Sequence, residues 1–523
     1  MAESQVELLI GLLVVTIPLV ALARRAHVSY PIVLVLGGLV LGFVPGLPSV
    51  RLDPNLVLLI FLPPLLYWEA VTAPTDVMLA NPGQIAMLAV GLVFATTVVV
   101  AIVMHAVVPG LPWPVAFVLG AIVAPTDELA SAPVLERLKM PRHLIAIVEG
   151  ESLVNDALSL VLYAAAVTAA VTGVVLFWHI VLFLFVAAIG AFVLGLLVGR
   201  IAVEGWRRVT DTQLQGVISL LVPFLAYAPA QRFGISGVLS VVTAGVYVNR
   251  FTPEVLTSSS RLQLIGFWET FVFVANALLF LLVGLQLHAI AGSVLRDNPW
   301  QIILWYTVTV NVVVIVVRFA WVLGTEYLPW IGGSSEHPDG DWKHALIASW
   351  SGLRGAVSLA AALALPLSTA SGAAFPHRDL IIFLTFTVIL VTLVGGGLTL
   401  PAVISALHVG DDGDEEAEDV RRAIVGVAKA ALEKVDALER DGRIDAGHAD
   451  VLRRRYEHEK LATQKAGRGE AADQERQHWQ AEREVIAAQR EALIELRSRG
   501  EIDNAVLRRV LNSLDLAERR IKG

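Results

Sequence analysis

Two acidic segments lie inside long apolar stretches of the sequence: APTDEL at 124–129 and EGESLVNDA at 149–157. An ionisable side chain in the hydrocarbon region of a bilayer is costly, so such a residue is a candidate functional group. The second segment carries four oxygen-bearing side chains at helical spacing, namely Glu151, Ser152, Asn155 and Asp156. Residues four apart stack one turn above each other, so one helix can present all four groups to a single cavity.

Asp127 is the acidic residue of the first segment that can face this cavity. It follows Pro125, which breaks a helix, and the unwound turn frees carbonyls such as that of Thr126. Carboxylates, a hydroxyl and a carbonyl are the oxygen ligands that hard cations prefer. Two carboxylates in a poorly hydrated pocket cannot both stay ionised cheaply, so Asp127 and Asp156 predict a site where a proton and a monovalent cation compete. The alternative interpretation makes Asp127 a helix cap and Asp156 a hydrogen-bonded buried group.

Two arginines and one glutamate are further charges placed within apolar spans. Arg318 lies in the run NVVVIVVRFAWVL and needs an anion, for which Glu151 is the candidate; the alternative is an arginine that snorkels to an interface. Arg354 lies in a second interrupted span, where it either supports transport or neutralises opposed helix ends. Glu69 follows the proline pair of FLPPLLYWEA and either pairs with Arg354 or marks a helix end.

Several other chemistries find no support in the residues. The chain has no cysteine, which excludes disulfides, thiolate metal sites and thiol nucleophiles. Its histidines include no H-E-x-x-H spacing, and neither a Walker loop nor G-x-G-x-x-G occurs. We therefore expect no cofactor, no resident metal, no enzymatic activity and no nucleic acid partner.

The elements that must position these residues are membrane helices. The 523-residue chain is 56% hydrophobic with a mean hydropathy of +0.69, too apolar for a soluble fold, so a bilayer must be its solvent. A span needs roughly 20 mostly apolar residues. Apolar runs between polar breaks predict thirteen spans, near 5–23, 30–46, 54–72, 83–108, 114–137, 143–171, 177–203, 211–229, 235–250, 260–290, 299–328, 342–367 and 377–408.

Two of these spans carry a polar or glycine-containing interruption in mid-membrane. The span at 114–137 is interrupted at 124–127, and the span at 342–367 is interrupted at 351–355. Interrupted helices at matching places in two halves are typical of transporters built from inverted repeats. The sequence therefore predicts an all-α membrane protein with two inverted repeats and two broken crossing helices around its binding site.

Charge distribution predicts the orientation of the spans and a separate C-terminal domain. With the N-terminus outside, eleven Lys and Arg residues fall in inside loops and four in outside loops, which favours a cytoplasmic C-terminus. Of the 86 charged residues, 48 lie in the last 113 positions. Residues 1–410 form the predicted transmembrane domain. Residues 411–523 predict a helical cytoplasmic domain, either a solvated appendage or a regulatory or dimer-supporting module.

In its apolar part, the chain resembles the cation:proton antiporter-1 family of sodium/proton exchangers. The resemblance covers residues 5–408 and follows five motifs in the order that the family has them. They are FLPPLLY (61–67), GAIVAPTD (120–127), EGESLVNDALSLVLY (149–163), SGLRGAVSLA (351–360) and GLTLP (397–401).

The resemblance implies ion-binding roles for five residues. Asp156 matches the essential ion- and proton-binding aspartate of the family. Asn155 matches the asparagine that accompanies electroneutral one-for-one exchange. Asp127, Thr126 and Ser152 match the other cation ligands, which would hold the transported Na+.

The resemblance also implies two supporting features, and the chain departs from the family at two positions. Glu151 and Arg318 match a buried ion pair that helps fix the site asparagine, and Arg354 matches the arginine of the second crossing helix. Gly396 stands where many relatives carry a glutamine. Glu128 stands where a small residue is more usual. These departures bear on ion selectivity rather than on mechanism.

The expected function is therefore exchange of Na+, or Li+, for H+ by alternating access. The resemblance further implies a homodimer in the lipid of the cell membrane, with a rigid dimer domain and a moving core domain. The alternatives are K+/H+ exchange by the same mechanism and, from another class, a cation channel. A membrane-embedded hydrolase is disfavoured because no histidine base accompanies Ser152.

Overall fold

The computed structural model divides the chain into two compact units, Met1–Asp411 and Asp412–Gly523. Secondary structure in its described part is helical, apart from one isolated bridge between Ser368 and Ala374. The described residues are 2–26, 28–44, 59–75, 78, 82–173, 177–327, 342–407, 409, 413–465, 469–499, 506–507, 510–511 and 514.

The first part of the larger unit runs from the N-terminus through the first interrupted helix to the helix that follows it. Its helices are α1 (Ala2–Ala26), α2 (Tyr30–Gly42), α3 (Leu62–Thr72), α4 (Pro82–Ala86), α5 (Leu92–Val107), α6 (Trp113–Val123), α7 (Glu128–Arg137) and α8 (Arg142–Thr172). Proline stands in the first turn of α2, α3 and α6, where its fixed φ suits a helix start and its missing N–H costs nothing. A π-helical turn joins α4 to α5.

Five long helices follow without interruption. They are α9 (Phe177–Arg208), α10 (Thr212–Arg232), α11 (Gly237–Val255), α12 (Ser258–Asp297) and α13 (Trp300–Tyr327). Polar side chains cap three of their starts: Asp211, Ser236 and Thr257 each accept from backbone N–H groups of the first turn. These short polar caps separate apolar stretches that would otherwise merge into one hydropathy signal.

The end of the larger unit contains the second interrupted helix. Its helices are α14 (Trp342–Trp350), α15 (Ala356–Leu363), α16 (Arg378–Leu390) and α17 (Gly397–Leu407). A π-helical turn, Val391–Gly396, joins α16 to α17. The sequence does not predict this turn, although its glycines indicate close packing; π-turns of this kind are frequent at functional sites.

The smaller unit is built from amphipathic helices. Its long helices are α18 (Gly413–Arg440), α19 (Ala446–Lys465) and α20 (Gly469–Ser498). Ala428, Val435 and Ala449 are buried on the facing sides of α18 and α19. Arg453 of α19 bonds the Asp436 carboxylate of α18 at 2.7 Å, so an ion pair fixes the register of this hairpin.

Seven helices of the described part are long and apolar enough to cross a membrane. They are Met87–Val107, Leu144–Thr172, Val186–Arg208, Thr212–Arg232, Ser258–Arg296, Trp300–Thr325 and Arg378–Leu407. This confirms the predicted helical multi-pass membrane architecture. Each predicted span contains a helix, although parts of four of them, residues 45–46, 54–58, 328 and 408, lie outside the described residues. Thirteen crossings and an inverted repeat remain predictions.

Close backbone approach holds α2 against α12. A Cβ built on Gly38 would overlap the Leu281 carbonyl, and a Cβ on Gly284 would overlap the Val35 carbonyl. Only glycine allows this separation, which is the packing that membrane helices use when water cannot drive them together. The two helices therefore pack closely, and α12 also contacts α15 of the second interrupted helix.

Candidate functional site

The site lies where the two interrupted helices meet. The backbone is non-helical at residues 124–127, between α6 and α7, and at residues 351–355, between α14 and α15. A helix break leaves backbone donors and acceptors without intrahelical partners. A backbone hydrogen bond joins the two breaks: the Asp127 N–H of the first donates to the Leu353 carbonyl of the second at 2.7 Å.

Arg354 ties the crossing together through backbone carbonyls. It is 1% exposed, and its Nε donates at 3.2 Å to the carbonyl of Val123, the last residue of α6. Its Nη1 donates to the Gly352 carbonyl, and its backbone N–H donates to Thr392 Oγ1 at 3.1 Å. A guanidinium at a helix C-terminus offsets the partial negative charge of the last carbonyls. This geometry supports the dipole-neutralising interpretation of Arg354.

Thr126 is the centre of a buried polar network that joins the first break to α8. Ser152 Oγ donates to the Thr126 carbonyl at 2.9 Å, and Asn155 Nδ2 donates to Thr126 Oγ1 at 2.8 Å. Thr126 Oγ1 in turn donates to Glu151 Oε1 at 3.2 Å. The structure thus brings together four of the residues that the sequence singles out, and it holds the unwound turn in one conformation.

Asp156 and Asp127 are the two carboxylates beside this network. Asp156 is 3% exposed, and its Oδ1 has no hydrogen-bond partner. Asp127 is partly buried and lies within electrostatic range of Asp156. A buried carboxylate oxygen without a donor is costly, so Asp156 is suited to bind a proton or a cation.

Glu151 and Arg318 form a fully buried ion pair behind the network. Arg318 Nη1 lies 2.5 Å from Glu151 Oε1, and Nη2 lies 3.2 Å from Oε2, a bidentate arrangement. The remaining donors reach the carbonyls of Ser349 at 3.0 Å and Ala348 at 2.7 Å, both in α14. Arg318 therefore joins α8, α13 and the first half of the second interrupted helix, and it does not snorkel.

Two glycines of the second break make room for the charged side chains. A Cβ built on Gly355 would overlap the carboxylate of Asp127, and a Cβ on Gly352 would overlap the guanidinium of Arg318. The side chains of Asp127 and Arg318 thus pack directly against the backbone of residues 351–355.

We expect Gly355→Ala to lower transport kcat/KM by at least about tenfold, because a misplaced ligand is costly in a preorganised site. The measurement is cation-dependent proton flux in proteoliposomes. Gly395→Ala is the matched control, since a Cβ at Gly395 meets no atom within 4 Å. Equal flux from the two variants would show that the Asp127 carboxylate does not need this contact.

Glu69 lies near the carboxylates and not against Arg354. The sequence leaves a pairing of Glu69 with Arg354 open, but in the described part of the chain the Arg354 side chain bonds the backbone carbonyls of Val123 and Gly352. Glu69 Oε2 is buried without a hydrogen-bond partner and lies within electrostatic range of Asp127. Glu69 therefore lies on the side of the site where Asp127 lies.

Two residues near the site are not found by reasoning from the sequence alone. Tyr30, at the start of α2, lies within electrostatic range of Asp127, and Thr392 of the π-turn binds the Arg354 backbone. No local pattern marks either residue, because each comes from a distant helix. Glu128 is visible as an unusual acid beside Asp127, and it begins α7.

The oxygen atoms at the crossing are of the kind that binds a hard monovalent cation. The crossing offers the carboxylates of Asp127 and Asp156, the Thr126 carbonyl and the Ser152 hydroxyl, oxygens that suit a hard cation. Few charged ligands favour weak binding and ready release.

Comparison with known proteins shows that the chain is similar to ion exchangers. A family model described as sodium/hydrogen exchanger, transmembrane, matches residues 10–406. An uncharacterized Na+/H+ exchanger of Mycobacterium tuberculosis is 34% identical over 526 residues, 97% of this chain and 95% of that protein. A sodium, potassium, lithium and rubidium/H+ antiporter of Bacillus pumilus is 33% identical, over 70% of this chain and 56% of that protein.

The fold is also similar to a solved structure. The sodium proton antiporter MjNhaP1 from Methanocaldococcus jannaschii at pH 8 matches with a TM-score of 0.60, covering 77% of this chain and 99% of that one. At 19% identity this likeness concerns the fold alone. It agrees with the all-helical architecture described above.

Proposed function

The chain belongs to the sodium/hydrogen exchanger family, and we propose that it exchanges Na+, or Li+, for protons one for one across the cell membrane. It is a multi-pass membrane protein, in keeping with its family and its apolar helices. Its relatives named above are transporters rather than enzymes. Cation and proton are thus its substrates. The proposal concerns which cation is exchanged and by what mechanism.

The observation that carries the proposal is the environment of the Asp156 carboxylate. It is 3% exposed, its Oδ1 lacks a hydrogen-bond donor, and Asp127 is within electrostatic range. A charged carboxylate in such a place is stabilised by a proton or by a cation, and each excludes the other. This competition supports exchange. The binding site can pass from one side of the membrane to the other at low energetic cost only when its charge is neutralised.

The supporting residues keep the ligands in place while the occupant changes. Thr126 receives hydrogen bonds from Ser152 and Asn155, and Glu151 accepts from Thr126. Arg318 pairs with Glu151 through two hydrogen bonds and so orients its carboxylate. In this mechanism Asp156 carries the exchanged charge, while Asn155 beside it is neutral, which supports one-for-one stoichiometry without net current.

Alternating access needs a support and a moving part. We propose that the interrupted helices move with the site, against the support that α2 and α12 form through glycine contacts. We further propose a homodimer in the membrane lipid, with the N-terminus outside and the C-terminal unit in the cytoplasm, on the basis of the Lys and Arg distribution.

The choice of cation is tested by flux in proteoliposomes that contain the full chain. Na+, Li+ and K+ are compared at equal concentration and fixed pH gradient, with a pH-sensitive dye inside the vesicles. We expect Na+ and Li+ to drive proton flux at least about tenfold faster than K+, because cavity size and ligand number discriminate between ions. Vesicles without protein give the background.

K+/H+ exchange is the second candidate, and the name of the Bacillus pumilus relative, which includes potassium and rubidium, favours keeping it in the comparison. Equal rates with K+ would establish it in place of Na+ selectivity. A membrane potential imposed with valinomycin should leave the flux unchanged if exchange is one for one. Non-saturating current under the same potential would indicate a cation channel and overturn the exchange mechanism.

A further inference from the structure

Thr392 lies in the π-helical turn Val391–Gly396, and the mechanism above gives it no role. It is 7% exposed. Its Oγ1 accepts from the Arg354 backbone N–H at 3.1 Å and donates to the Val388 carbonyl of α16 at 2.7 Å. A threonine hydroxyl can donate one hydrogen bond and accept others at the same time. The Thr392 hydroxyl thus joins the second helix break to the π-helical turn.

The bond to Arg354 acts on the peptide group between Leu353 and Arg354. The N–H of this group donates to Thr392 Oγ1, and its carbonyl accepts from the Asp127 N–H at 2.7 Å. Because a peptide group is planar and rigid, the direction of its N–H sets the direction of its carbonyl. Thr392 is therefore linked to Asp127 through a single planar group.

The first helix break repeats this arrangement. The Asp127 N–H shares a peptide group with the Thr126 carbonyl, and this carbonyl accepts from Ser152 Oγ at 2.9 Å. One line of hydrogen bonds therefore runs from the Ser152 hydroxyl of α8, through two peptide groups, to the Thr392 hydroxyl. Hydrogen bonds that point the same way along such a line polarise and strengthen one another. The candidate ligands of the first break are thus held from both ends of the line.

The segment that carries Thr392 contacts the second break at two further places. Trp350, at the end of α14, donates from Nε1 to Thr399 Oγ1 of α17 at 2.9 Å. A Cβ built on Gly396 would lie 2.5 Å from Cδ2 of Leu353, so the Leu353 side chain packs directly against the π-helical turn. These two contacts hold the break against the turn. The Thr392 hydroxyl adds control over how its peptide group is oriented.

We propose that Thr392 is a positioning residue of the exchange site. Its hydroxyl holds the Leu353–Arg354 peptide group in the orientation that places Asp127 and the Thr126 carbonyl for cation binding. The inference rests on the proposed exchange function. Without the hydroxyl, a buried N–H loses its acceptor, and the peptide group can turn towards another one. Asp127 then loses its fixed place, and the cation binds less tightly.

Thr392→Val tests this role, because it replaces the hydroxyl with a methyl group of similar size. We expect the KM for Na+ to rise about tenfold, since a ligand that is no longer preorganised binds less well. We expect kcat to stay within about twofold, because α8 carries the Asp156 carboxylate and remains in place. A substitution that only destabilised the fold would lower the amount of active protein and leave the KM unchanged.

Thr392→Ser and Thr387→Val are the matched controls. Thr392→Ser keeps the hydroxyl and loses the methyl group, so its KM should stay within about twofold of the parent value. Thr387 of α16 donates to the Leu384 carbonyl of its own helix at 2.8 Å. Thr387→Val therefore makes the same chemical change within one helix, and its KM should equal that of the parent protein.

Thermal unfolding in detergent at increasing NaCl gives a readout that needs no transport. Choline chloride at equal concentration controls for ionic strength. The NaCl concentration that gives a set rise in unfolding temperature should be about tenfold higher for Thr392→Val than for the parent protein. It should not change for Thr392→Ser.

The outcomes separate this inference from the proposed function. A parental KM and a parental NaCl dependence in Thr392→Val would overturn the positioning role while leaving exchange at Asp156 intact. An equal rise in KM in Thr392→Ser would assign the effect to the methyl group and would also overturn it. If Thr392→Val does not fold, Thr392→Ala takes its place. Failure of both to fold would assign the hydroxyl to stability alone and reject the proposal. Proton flux in the parent protein that does not respond to Na+ would refute the proposed function itself.

Discussion

Asp156→Asn is expected to abolish cation-dependent proton flux while leaving the protein folded. The substitution keeps the size of the side chain and removes the only group in our mechanism that carries the exchanged charge. It also removes a buried charge whose Oδ1 has no donor, so the folded state should be at least as stable as the parent. The measurement is dye-reported flux in proteoliposomes, together with thermal unfolding of the same preparation in detergent.

Glu254→Gln is the control for removing one acid. Glu254 is exposed in the last turn of α11, so its loss should leave flux unchanged. Asp156→Asn should also lose the rise in unfolding temperature that Na+ gives the parent protein, since a cation that does not bind cannot stabilise. Flux at the parent rate in this variant would move the exchange site elsewhere, and the proposed mechanism would fail.

The helix interruptions could be predicted from sequence because their cause is local. Proline and polar residues at 124–127, and glycines around an arginine at 351–355, cannot continue an apolar helix, and the structure is non-helical at both places. The pairing of Arg318 with Glu151 could be predicted for a different reason. A buried charge needs a counter-charge, and few acids occur at membrane depth.

The positions of Glu69 and Arg354 could not be predicted in this way. Opposite charge makes them plausible partners, but Arg354 finds backbone carbonyls that only the crossing of two breaks exposes. The sequence does not show which carbonyls lose their helical donors. It also does not show which distant helix lies near the site. The same limit hides Thr392, which binds the Arg354 backbone from the π-helical turn, and Tyr30 at the start of α2, which lies within electrostatic range of Asp127.

Arg318→Ala is expected to lower the free energy of unfolding by about 3–5 kcal/mol, the usual effect of breaking a buried ion pair on one side. Glu151, which is 1% exposed, would be left buried without its partner. The carbonyls of Ser349 and Ala348 would lose their donors as well. Thermal and denaturant unfolding of the purified full chain measure the change.

Removal of both charges distinguishes the ion pair from simple loss of packing. Because the cost of Arg318→Ala comes mainly from an uncompensated carboxylate, adding Glu151→Gln should restore much of the lost stability, a coupling that a double-mutant cycle measures. Arg207→Ala is the matched control, since Arg207 and Glu204 form an exposed pair with side-chain exposures of 52% and 44%, and its loss should change stability by no more than about 1 kcal/mol. If Arg318→Ala were as mild as this control, Glu151 would not depend on Arg318. Some other contact would then have to hold the Thr126 network in place beside the Asp156 carboxylate.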